Sequence, residues 1–311
     1  MPELPEVEVV KLHLEQKLLH KTITNLEILT PKSFIGDPSL VLNQKIIKFS
    51  RLGKQLSLYL SNHLILLIHL KMTGQLIISP LSSAVADPRE GTKGVPEGRR
   101  ILLGHPTKNA LDTLPNKSTR LIFHFSPPSS RGVPKGQGVL YFNDQRKFGW
   151  IKLLSQAELV EAQKNLGLDI FDPQFTPAYL FSKLQKSYRS VKTFLLDQHY
   201  FAGIGNIYAC DALFLAGIHP AASSSKISLK QAKLIHKYLI EIMHQSVLAG
   251  GSTARDKKYL KPDGTSGQNQ FFFRVYQRKG EPCLKCGTKI EYLKIGGRGT
   301  FFCPHCQPSK I

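Results

Sequence analysis

The chain has 311 residues, and its 42 Lys and Arg residues outnumber its 22 Asp and Glu residues, giving a formal net charge of +20. Hydrophobic residues make up 41% and charged residues 21% of the chain, which excludes a wholly disordered or collagen-like protein. The basic excess favours a polyanionic partner, either nucleic acid or an anionic membrane surface. No apolar run approaches the roughly 20 residues of a membrane-spanning helix, and the N-terminal segment lacks a secretory signal pattern. We therefore expect a cytoplasmic protein that does not cross a membrane.

The N-terminal half is predicted to be one helix followed by a β-structure. Apolar residues at near-helical spacing predict a helix over 5–19. Short β-branched or leucine-rich segments then predict eight strands, over 23–30, 45–50, 56–60, 64–70, 75–78, 120–125, 139–143 and 150–154. Eight short strands indicate an antiparallel β-sandwich with a flanking helix, which we assign to residues 1–155. The Pro- and Gly-rich stretch over 80–117 is predicted to be a loop-like insertion.

The C-terminal half is predicted to be helical. Residues 156–176 are assigned to a linker, because Gly and Pro interrupt their pattern. Helical periodicity then predicts four helices, over 178–185, 191–197, 206–216 and 229–248. We assign a second domain to residues 177–270, including a polar segment over 252–270, and a cysteine-bearing module to residues 271–311. The predicted fold class is α+β multidomain.

Four of the five cysteines lie near the C-terminus, in the pattern Cys283-x2-Cys286-x16-Cys303-x2-Cys306. Two Cys-x2-Cys turns at this separation are typical of a tetrahedral zinc site in a β-ribbon. Four thiolates complete the coordination sphere of the metal, so no position remains for a catalytic water. The pattern therefore predicts one structural Zn²⁺.

Two glycine-containing turns carry polar side chains. Residues 295–300, between the two cysteine pairs, predict a β-hairpin tip that presents Arg298; a solvated turn arginine is the alternative. Gly203 and Gly205 precede Asn206, a predicted helix N-cap, where backbone amides and the helix dipole can bind a phosphate. An ordinary glycine turn before a capped helix is the alternative.

Two predicted hairpin tips carry apolar residues. One tip contains Met72, and the other contains Phe148 beside Arg146. Exposed apolar tips can act as wedges that fill the space left when a base is extruded from a duplex, with the neighbouring basic residues on phosphates. The alternative is that both tips fold back onto the core.

The N-terminus offers a nucleophile. A small residue after the initiator methionine normally permits its removal, which leaves Pro2 as a free secondary amine, and free α-amines titrate far below lysine. Such an amine can attack a sugar C1′, expel the base and leave an iminium that permits strand cleavage by elimination. Glu3 is adjacent and can shuttle protons. The alternative is that Pro2 and the glutamates simply begin and cap a helix.

Taken together, these motifs resemble the formamidopyrimidine-DNA glycosylase family, bacterial enzymes that remove oxidised purines such as 8-oxoguanine. The resemblance covers nearly the whole chain. It also includes Lys54, in a strand after the first helix, and the segments His69-Leu70-Lys71-Met72-Thr73-Gly74 and Gly217-Ile218-His219-Pro220. A bifunctional DNA glycosylase and abasic-site lyase of base excision repair is therefore the implied function.

The resemblance implies a role for each residue of the catalytic set. Pro2 would form the Schiff base, and Glu3 would donate and accept protons around the sugar. Lys54 would contact phosphate near the lesion and assist β-elimination. Arg298, on the zinc hairpin, would hold the flanking phosphate and assist δ-elimination.

The resemblance also implies how DNA is held. Met72, Arg146 and Phe148 would enter the duplex, with Arg146 facing the orphaned cytosine and Phe148 wedging the stack. Asn206 would hold phosphate from a helix-two-turn-helix element within residues 177–270. The segment 252–270 would be a mobile loop that closes over the flipped base. The implied partner is damaged double-stranded DNA, bound by a monomer.

The sequence departs from the family pattern at two phosphate-contacting positions. Family members commonly carry histidine where this chain has Ser118, and lysine or arginine where it has Tyr188. We expect one or two phosphate contacts either to be lost or to shift to Arg120, Arg189 or Lys192.

Three further departures concern the backbone and the insertion. Lys71 and Gln277 stand at positions that are often glycine in the family. The insertion at 80–117 is longer than usual.

Two other functions remain open at this stage. An endonuclease VIII-type enzyme uses the same amine on oxidised pyrimidines, but the Leu4-Pro5 start and the intact Met72, Arg146 and Phe148 set argue against it. A non-catalytic zinc-ribbon DNA-binding protein would explain the charge and the ribbon, but it would need neither Pro2 nor Glu3.

Overall fold

The computed structural model describes residues 2–79, 101–104, 114–126, 138–252 and 268–309. These residues form two compact units: the first contains Pro2 and Val7–Gln163, and the second contains Glu3–Glu6 with residues 164–252 and 268–309. The predicted α+β fold class, with a β-rich N-terminal part, a helical part and a C-terminal two-stranded ribbon, is confirmed. Among the described residues, no helix has the length and apolar character that a membrane span requires.

The first unit is a β-sandwich. Helix α1 (Leu4–Leu18) precedes ten strands: β1 (Thr22–Ile28), β2 (Phe34–Ile35), β3 (Ile46–Leu52), β4 (Gln55–Leu60), β5 (Ile65–His69), β6 (Gly74–Ser79), β7 (Ile101–Gly104), β8 (Thr119–Ser126), β9 (Gly138–Asp144) and β10 (Trp150–Leu154). They form two five-stranded sheets, in the orders β1-β8-β9-β6-β7 and β2-β10-β5-β4-β3. All eight predicted strands are present among these ten.

Alternating residues of the strands form the core between the sheets. In β8, Leu121, Phe123 and Phe125 are buried in this core, whereas His124 pairs with Glu27 on the outer face. Helix α1 contributes Val10 and Leu14, which are one helical turn apart and therefore lie on one face. Burial of each such side chain contributes about 1.5–3 kcal/mol, so this core accounts for the closure of the sandwich.

Two features of the sheets differ from the prediction. Strand β7 lies inside the predicted loop-like insertion and pairs with β6, so part of that stretch belongs to a sheet. Its four residues are too few to show alternation; the rest of 80–113 lies outside the described residues. Strand β2 pairs with β10 in parallel, so the sandwich is not wholly antiparallel.

Helix α2 (Gln156–Gln163) occupies the first part of the predicted linker. Ser155 and Glu158 form a reciprocal capping box: Ser155 N donates to Glu158 Oε2 at 2.7 Å, and Glu158 N donates to Ser155 Oγ at 3.3 Å. Leu159 packs against Ile65 and Leu67 of β5. The Ser-x-x-Glu pattern is a helix start signal that the prediction overlooked.

The second unit is helical. Its helices are α3 (Pro177–Leu184), α4 (Val191–Leu195), α5 (Asn206–Leu215) and α6 (Leu229–Leu248), and the two-residue strands β11 (Leu168–Asp169) and β12 (Phe201–Ala202) pair in parallel. The four predicted helices are all present. Helix α6 begins at a capping box of Ser228 and Gln231, and it buries Ile235, Leu239 and Ile242 at helical spacing.

A two-stranded ribbon contains the last two strands of the described chain. Strands β13 (Glu291–Ile295) and β14 (Arg298–Phe302) are antiparallel, and Gly296 and Gly297 join them with φ angles of 55° and 75°. Positive φ at both positions is typical of a type I′ turn, which matches the twist of the two strands. Most of the predicted mobile loop, residues 253–267, lies outside the described residues.

Lys71 and Gln277, which stand where the family often has glycine, both adopt the left-handed conformation, with φ of 52° and 57°. A side chain with a Cβ costs roughly 1–2 kcal/mol there, whereas glycine adopts this region freely. The backbone at both positions therefore favours glycine.

We expect Lys71→Gly to raise the free energy of unfolding by up to about 1 kcal/mol, because relief of the strained φ outweighs the larger entropy of glycine in the unfolded chain. Lys71→Ala is the matched control, since it removes the same charge and keeps the Cβ. Urea denaturation of both variants measures the difference. Equal stability of the two would contradict the backbone explanation.

Candidate functional site

Glu3 and Leu4, which follow Pro2, pack against the start of α5. Pro2 is buried, and Glu3 is only 5% exposed. Ile207 N donates to Glu3 Oε1 at 3.3 Å, so the carboxylate lies at the positive end of the helix dipole. Leu4 N donates to Gly203 O at 3.3 Å, and the Leu4 side chain is fully buried. These contacts fix the main chain that carries Pro2.

The glycines before α5 make room for this segment. A Cβ at Gly205 would overlap the Glu3 carboxylate, and a Cβ at Gly203, whose φ is 106°, would overlap the Leu4 side chain. Gly205 is the N-cap of α5 and Asn206 the first helical residue, so the predicted N-cap assignment of Asn206 was wrong. The turn that we interpreted as a possible phosphate cradle holds an anion of the protein itself, the Glu3 carboxylate.

Glu6 is a buried hub that the sequence analysis did not identify as part of the site. Its Oε2 accepts from Glu3 N at 2.9 Å, and its Oε1 accepts from Tyr208 Oη at 2.7 Å. Oε1 also accepts from Ser252 N and Ser252 Oγ, at 2.8 and 2.7 Å. Burial, with the charge of Glu6, raises the pKa of Tyr208 well above its usual value, so the phenol remains a donor. Glu6 thus holds both the Glu3 main chain and the residue that begins the predicted mobile loop.

The Arg298 hairpin is anchored to α4 and α5 through the Gly299 carbonyl and the Thr300 hydroxyl. Gly299 O accepts from Asn206 Nδ2 at 2.9 Å and from Lys192 Nζ at 3.2 Å, and Lys192 Nζ also donates to Thr300 Oγ1 at 2.6 Å. Arg298 itself is exposed beside this anchor. The second unit therefore brings Glu3, Asn206 and Arg298 into one region.

Lys192 is fully buried, which differs from the surface position that a phosphate contact would need. Burial lowers its pKa; the nearby Arg298 lowers it further, whereas the Glu3 carboxylate acts in the opposite direction. The Lys192 ammonium therefore serves as an internal donor that fixes the hairpin.

The four predicted zinc ligands lie together at the base of the ribbon. All four Sγ atoms lie within 4.8 Å of one another, and the Sγ of Cys283 and Cys306 are 3.9 Å apart. A tetrahedral site with Zn–S bonds of about 2.3 Å requires sulfurs about 3.8 Å apart, so the cluster fits one Zn²⁺. The predicted zinc site is confirmed as a four-cysteine zinc finger.

Asp211 joins α5 to the chain segment that leads into the first zinc ligands. Its buried carboxylate accepts three main-chain N–H groups, from Arg274 at 2.9 Å and from Val275 and Tyr276 at 3.0 Å each. Phe214, on the next turn of α5, packs in the same core as Val275 and Cys303. The zinc finger is therefore fixed to α5, the helix whose N-terminus contacts the Glu3 carboxylate.

In the first unit, Lys54 lies in the turn between β3 and β4, and not within a strand as we had expected, and it is buried, with 8% of its surface exposed. The residue before it, Gly53, has a φ of 57°, and its carbonyl accepts from Arg51 Nη1 at 2.9 Å. Arg51 Nε pairs with Glu8 Oε2 at 2.7 Å. The Glu8–Arg51 pair therefore orients the turn that carries Lys54.

His69 is a further candidate site residue, to which no role was assigned from the sequence beyond its place in the segment 69–74. Burial, followed by the charges of Lys71 and Lys54, lowers the pKa of His69 to about 3, so the imidazole is neutral near pH 7. Its Nδ1 accepts from Lys71 N at 3.0 Å, which leaves the proton on Nε2. His69 is therefore a fixed neutral hydrogen-bond donor within the electrostatic reach of Lys54.

The predicted wedge residues lie on two connections at one end of the sandwich. Met72 is 42% exposed and Phe148 is 55% exposed, so the alternative that they fold back onto the core is wrong. Arg146 lies over the Phe148 ring, with its guanidinium carbon 5.1 Å from the centroid. The connections are not hairpin tips, because each joins strands of different sheets. They lie side by side because the strands they join are neighbours in both sheets, β6 with β9 and β5 with β10.

The two remaining predicted phosphate contacts differ in exposure. Arg120 is buried and donates from Nε to Asp144 O at 2.9 Å. Arg189 is exposed, pairs with Asp197 Oδ2 at 2.9 Å and lies over the Phe194 ring. Of these two arginines, only Arg189 has a side chain that DNA could reach directly. Its neighbour Tyr188, one of the departures from the family pattern, is 90% exposed.

Three family models match the chain. The formamidopyrimidine-DNA glycosylase N-terminal domain matches residues 1–151, the H2TH domain of the same enzyme matches residues 166–258, and the zinc finger found in FPG and IleRS matches residues 280–308.

Individual proteins agree with the family models over nearly the full length. The formamidopyrimidine-DNA glycosylase of Bacillus licheniformis is 38% identical over 316 aligned positions, covering 99% of both chains. A structure of Lactococcus lactis Fpg in complex with DNA containing an abasic site matches with a TM-score of 0.79 and 29% identity, covering 99% of this chain and 100% of that chain. Fpg of Thermus thermophilus matches with a TM-score of 0.77 and 30% identity, covering 98% of each.

The contact between the Glu3 carboxylate and Gly205 gives a stability prediction. We expect Gly205→Ala to lower the free energy of unfolding by about 1–3 kcal/mol, because the added methyl group overlaps the Glu3 carboxylate. In a Glu3→Ala background the same substitution should cost less, because the carboxylate is gone. Urea denaturation of the two single variants and the double variant gives the coupling.

Gly280→Ala is the control, because its added Cβ meets nothing within 4 Å. Its cost reports only the strain of its φ of 79° and should not depend on residue 3. Strict additivity of Gly205→Ala and Glu3→Ala would contradict the proposed seat.

Proposed function

The chain belongs to the formamidopyrimidine-DNA glycosylase family, and on that premise we propose that it excises oxidised purines from duplex DNA in base excision repair. It is a DNA glycosylase with abasic-site lyase activity, and its substrates are lesions such as 8-oxoguanine and formamidopyrimidines. The observation that carries this proposal is the buried seat of Glu3 against Gly205, because it holds the chain next to Pro2 in one conformation.

Pro2 is proposed as the nucleophile. After removal of Met1, the lone pair of the Pro2 nitrogen attacks C1′ of the damaged nucleotide, the N-glycosidic bond breaks, and the base leaves with a proton. The C1′–O4′ bond then breaks as O4′ takes up a proton, which leaves the pyrrolidine nitrogen and C1′ joined as an iminium and acidifies the C2′ proton. Loss of that proton expels the 3′ phosphate by β-elimination, and a second elimination expels the 5′ phosphate.

Glu3 is proposed to move the protons of these steps. A general acid and base must lie close to the sugar, and residue 3 adjoins the nucleophile in the chain. The contacts of Glu3 with Gly205 and Ile207 keep its carboxylate in one place. A fixed carboxylate avoids reorganisation during each transfer, which supports this assignment.

Lys54 and Arg298 are proposed to contact the phosphates on either side of the lesion. Arg298 offers a forked set of donors on a hairpin that Lys192 and Asn206 anchor. Lys54 offers a point charge on a turn that Arg51 orients, and it keeps 8% of its surface exposed, whereas Lys192 is fully buried. The neutral His69 adds a donor near Lys54.

Met72, Arg146 and Phe148 are proposed to enter the duplex where the damaged base leaves the stack. An exposed apolar side chain can replace the lost stacking, and a guanidinium can donate to the acceptors of the unpaired opposite base. The exposure of Met72 and Phe148 supports this role. We further propose that the protein acts as a monomer on chromosomal DNA in the cytoplasm.

The covalent step has a direct test. Borohydride added during reaction with an 8-oxoguanine duplex should trap a protein–DNA adduct, and Pro2→Gly should abolish strand nicking. Peptide mapping should place the sugar remnant on Pro2. As a matched control, protein that retains Met1, verified by intact mass, should form no adduct.

Two outcomes would contradict this proposal. Tight binding of the lesion duplex with no trapped adduct would favour a non-catalytic DNA-binding protein. Trapping with oxidised pyrimidines in preference to 8-oxoguanine would favour the endonuclease VIII type of activity.

The phosphate contacts have a separate test. Each contact releases counterions, so Lys54→Met and Arg298→Gln should each weaken binding and reduce the slope of log K against log salt by about 0.9. Lys233→Met, at an exposed position of α6, is the control and should leave the slope unchanged. Titration of a labelled abasic-analogue duplex at several salt concentrations measures the slopes, and wild-type slopes in both variants would remove Lys54 and Arg298 from the DNA surface.

A further inference from the structure

The Met72 turn (residues 71–73) and the Phe148 turn (residues 145–149) are joined by one buried carboxylate. The Met72 turn connects β5 to β6, and the Phe148 turn connects β9 to β10. Strands β6 and β9 are antiparallel neighbours, with Gly74 paired to Asp144. The two turns therefore leave the sheet from paired residues.

Asp144 is fully buried and is the shared acceptor of the two turns. Its Oδ1 accepts from the Thr73 hydroxyl and, at 3.1 Å, from Arg146 N; its Oδ2 accepts from Gly149 N at 2.6 Å. The Thr73 oxygen also accepts from Arg146 N, at 3.1 Å. Thr73 is thus bonded both to the carboxylate and to the main chain of the arginine itself.

The main chain of Asp144 is held independently of its side chain. Asp144 N donates to Ser118 O at 2.8 Å, and Asp144 O accepts from Arg120 Nε at 2.9 Å. At the far end of the Phe148 turn, a Cβ on Gly149 would lie 2.7 Å from Phe142 Cζ and 3.2 Å from Asp144 Oδ2. Because the surroundings of Asp144 are fixed, its carboxylate can transmit a fixed position to both turns.

We propose that Thr73 and Asp144 are positioning residues that set the place of Arg146 relative to Met72 and thereby determine selectivity for the base opposite the lesion. This inference rests on the proposed function. Cytosine presents two adjacent acceptors to a guanidinium, whereas adenine presents one acceptor beside a donor group. Donation of two hydrogen bonds to cytosine requires the Arg146 guanidinium to be placed within about 0.5 Å. If the hydrogen bonds of Thr73 and Asp144 did not hold the turn, Arg146 would donate a single hydrogen bond to either base.

Thr73→Val tests the proposal, because valine has the shape of threonine but lacks the hydroxyl; Thr73→Ser keeps the hydroxyl and is the matched control. The measurement is single-turnover excision of 8-oxoguanine opposite dC and opposite dA. We expect the dC-to-dA rate ratio to fall at least about fivefold in Thr73→Val, because the variant loses both hydrogen bonds of the hydroxyl and one alone is worth about that factor, and to be restored in Thr73→Ser. Borohydride trapping on a single-stranded abasic oligonucleotide should stay within about twofold of wild type, since no opposite base is present.

Asp144→Asn is a second variant, in which an amide NH2 group replaces the carboxylate oxygen that accepts from Gly149 N. It should lower the ratio as well, and the double variant should lower it by less than the product of the single effects, because both substitutions remove one connection. If Thr73→Val does not fold, Thr73→Ala makes the same comparison.

Two results would overturn the inference: a dC-to-dA ratio within about twofold of wild type in Thr73→Val, or an equal loss in Thr73→Ser. If wild-type protein neither nicks nor traps 8-oxoguanine duplexes, the proposed function itself fails, so the two failures are distinguishable.

Discussion

The contact on which the second unit's site depends is the one between the Glu3 carboxylate and the start of α5. A helix N-terminus attracts an anion, and here the anion is a side chain of the protein. The contact requires glycine at position 205, since any Cβ there would overlap the carboxylate. The same helix carries Asn206, which anchors the Arg298 hairpin, and Asp211, which anchors the chain leading into the zinc ligands. One helix thus relates the residues proposed for proton transfer and for phosphate binding.

Among the residues that the structure describes, three buried carboxylates of this basic chain play the same structural part. Glu6 accepts from Glu3 N, Tyr208 and Ser252; Asp144 accepts from two turns; and Asp211 accepts from three successive main-chain N–H groups. A buried carboxylate is stable only when several donors satisfy it, and main-chain donors fix the loops to which they belong. The acidic residues therefore order segments with little regular structure, which are the segments that carry the proposed functional side chains.

The sequence was sufficient for features that depend on local patterns. Short β-branched or leucine-rich segments predicted the strands, helical spacing predicted α3 to α6, and the paired Cys-x2-Cys turns predicted the zinc site. One local signal was overlooked, because the Ser155 and Glu158 capping box predicts the start of α2. Another was assigned to the wrong residue, because Gly205 and not Asn206 is the N-cap of α5. Contacts between distant residues could not be predicted: Glu3 meets Gly205, and Thr73 meets Asp144, only after the chain has folded. No spacing rule for a single sequence encodes such pairs.

The position of the basic residues changes the meaning of the net charge. Of the three residues expected to replace missing phosphate contacts, Arg120 and Lys192 are buried and bonded to main-chain carbonyls, and only Arg189 reaches the surface. A buried cation that hydrogen-bonds a carbonyl releases no counterion from DNA, so it contributes nothing to the salt dependence of binding. It acts instead by holding a turn: Arg120 holds the main chain of Asp144, and Lys192 holds the hairpin of Arg298. The excess of +20 is therefore an upper limit on phosphate recognition, because part of it orients the few side chains that are proposed to contact DNA.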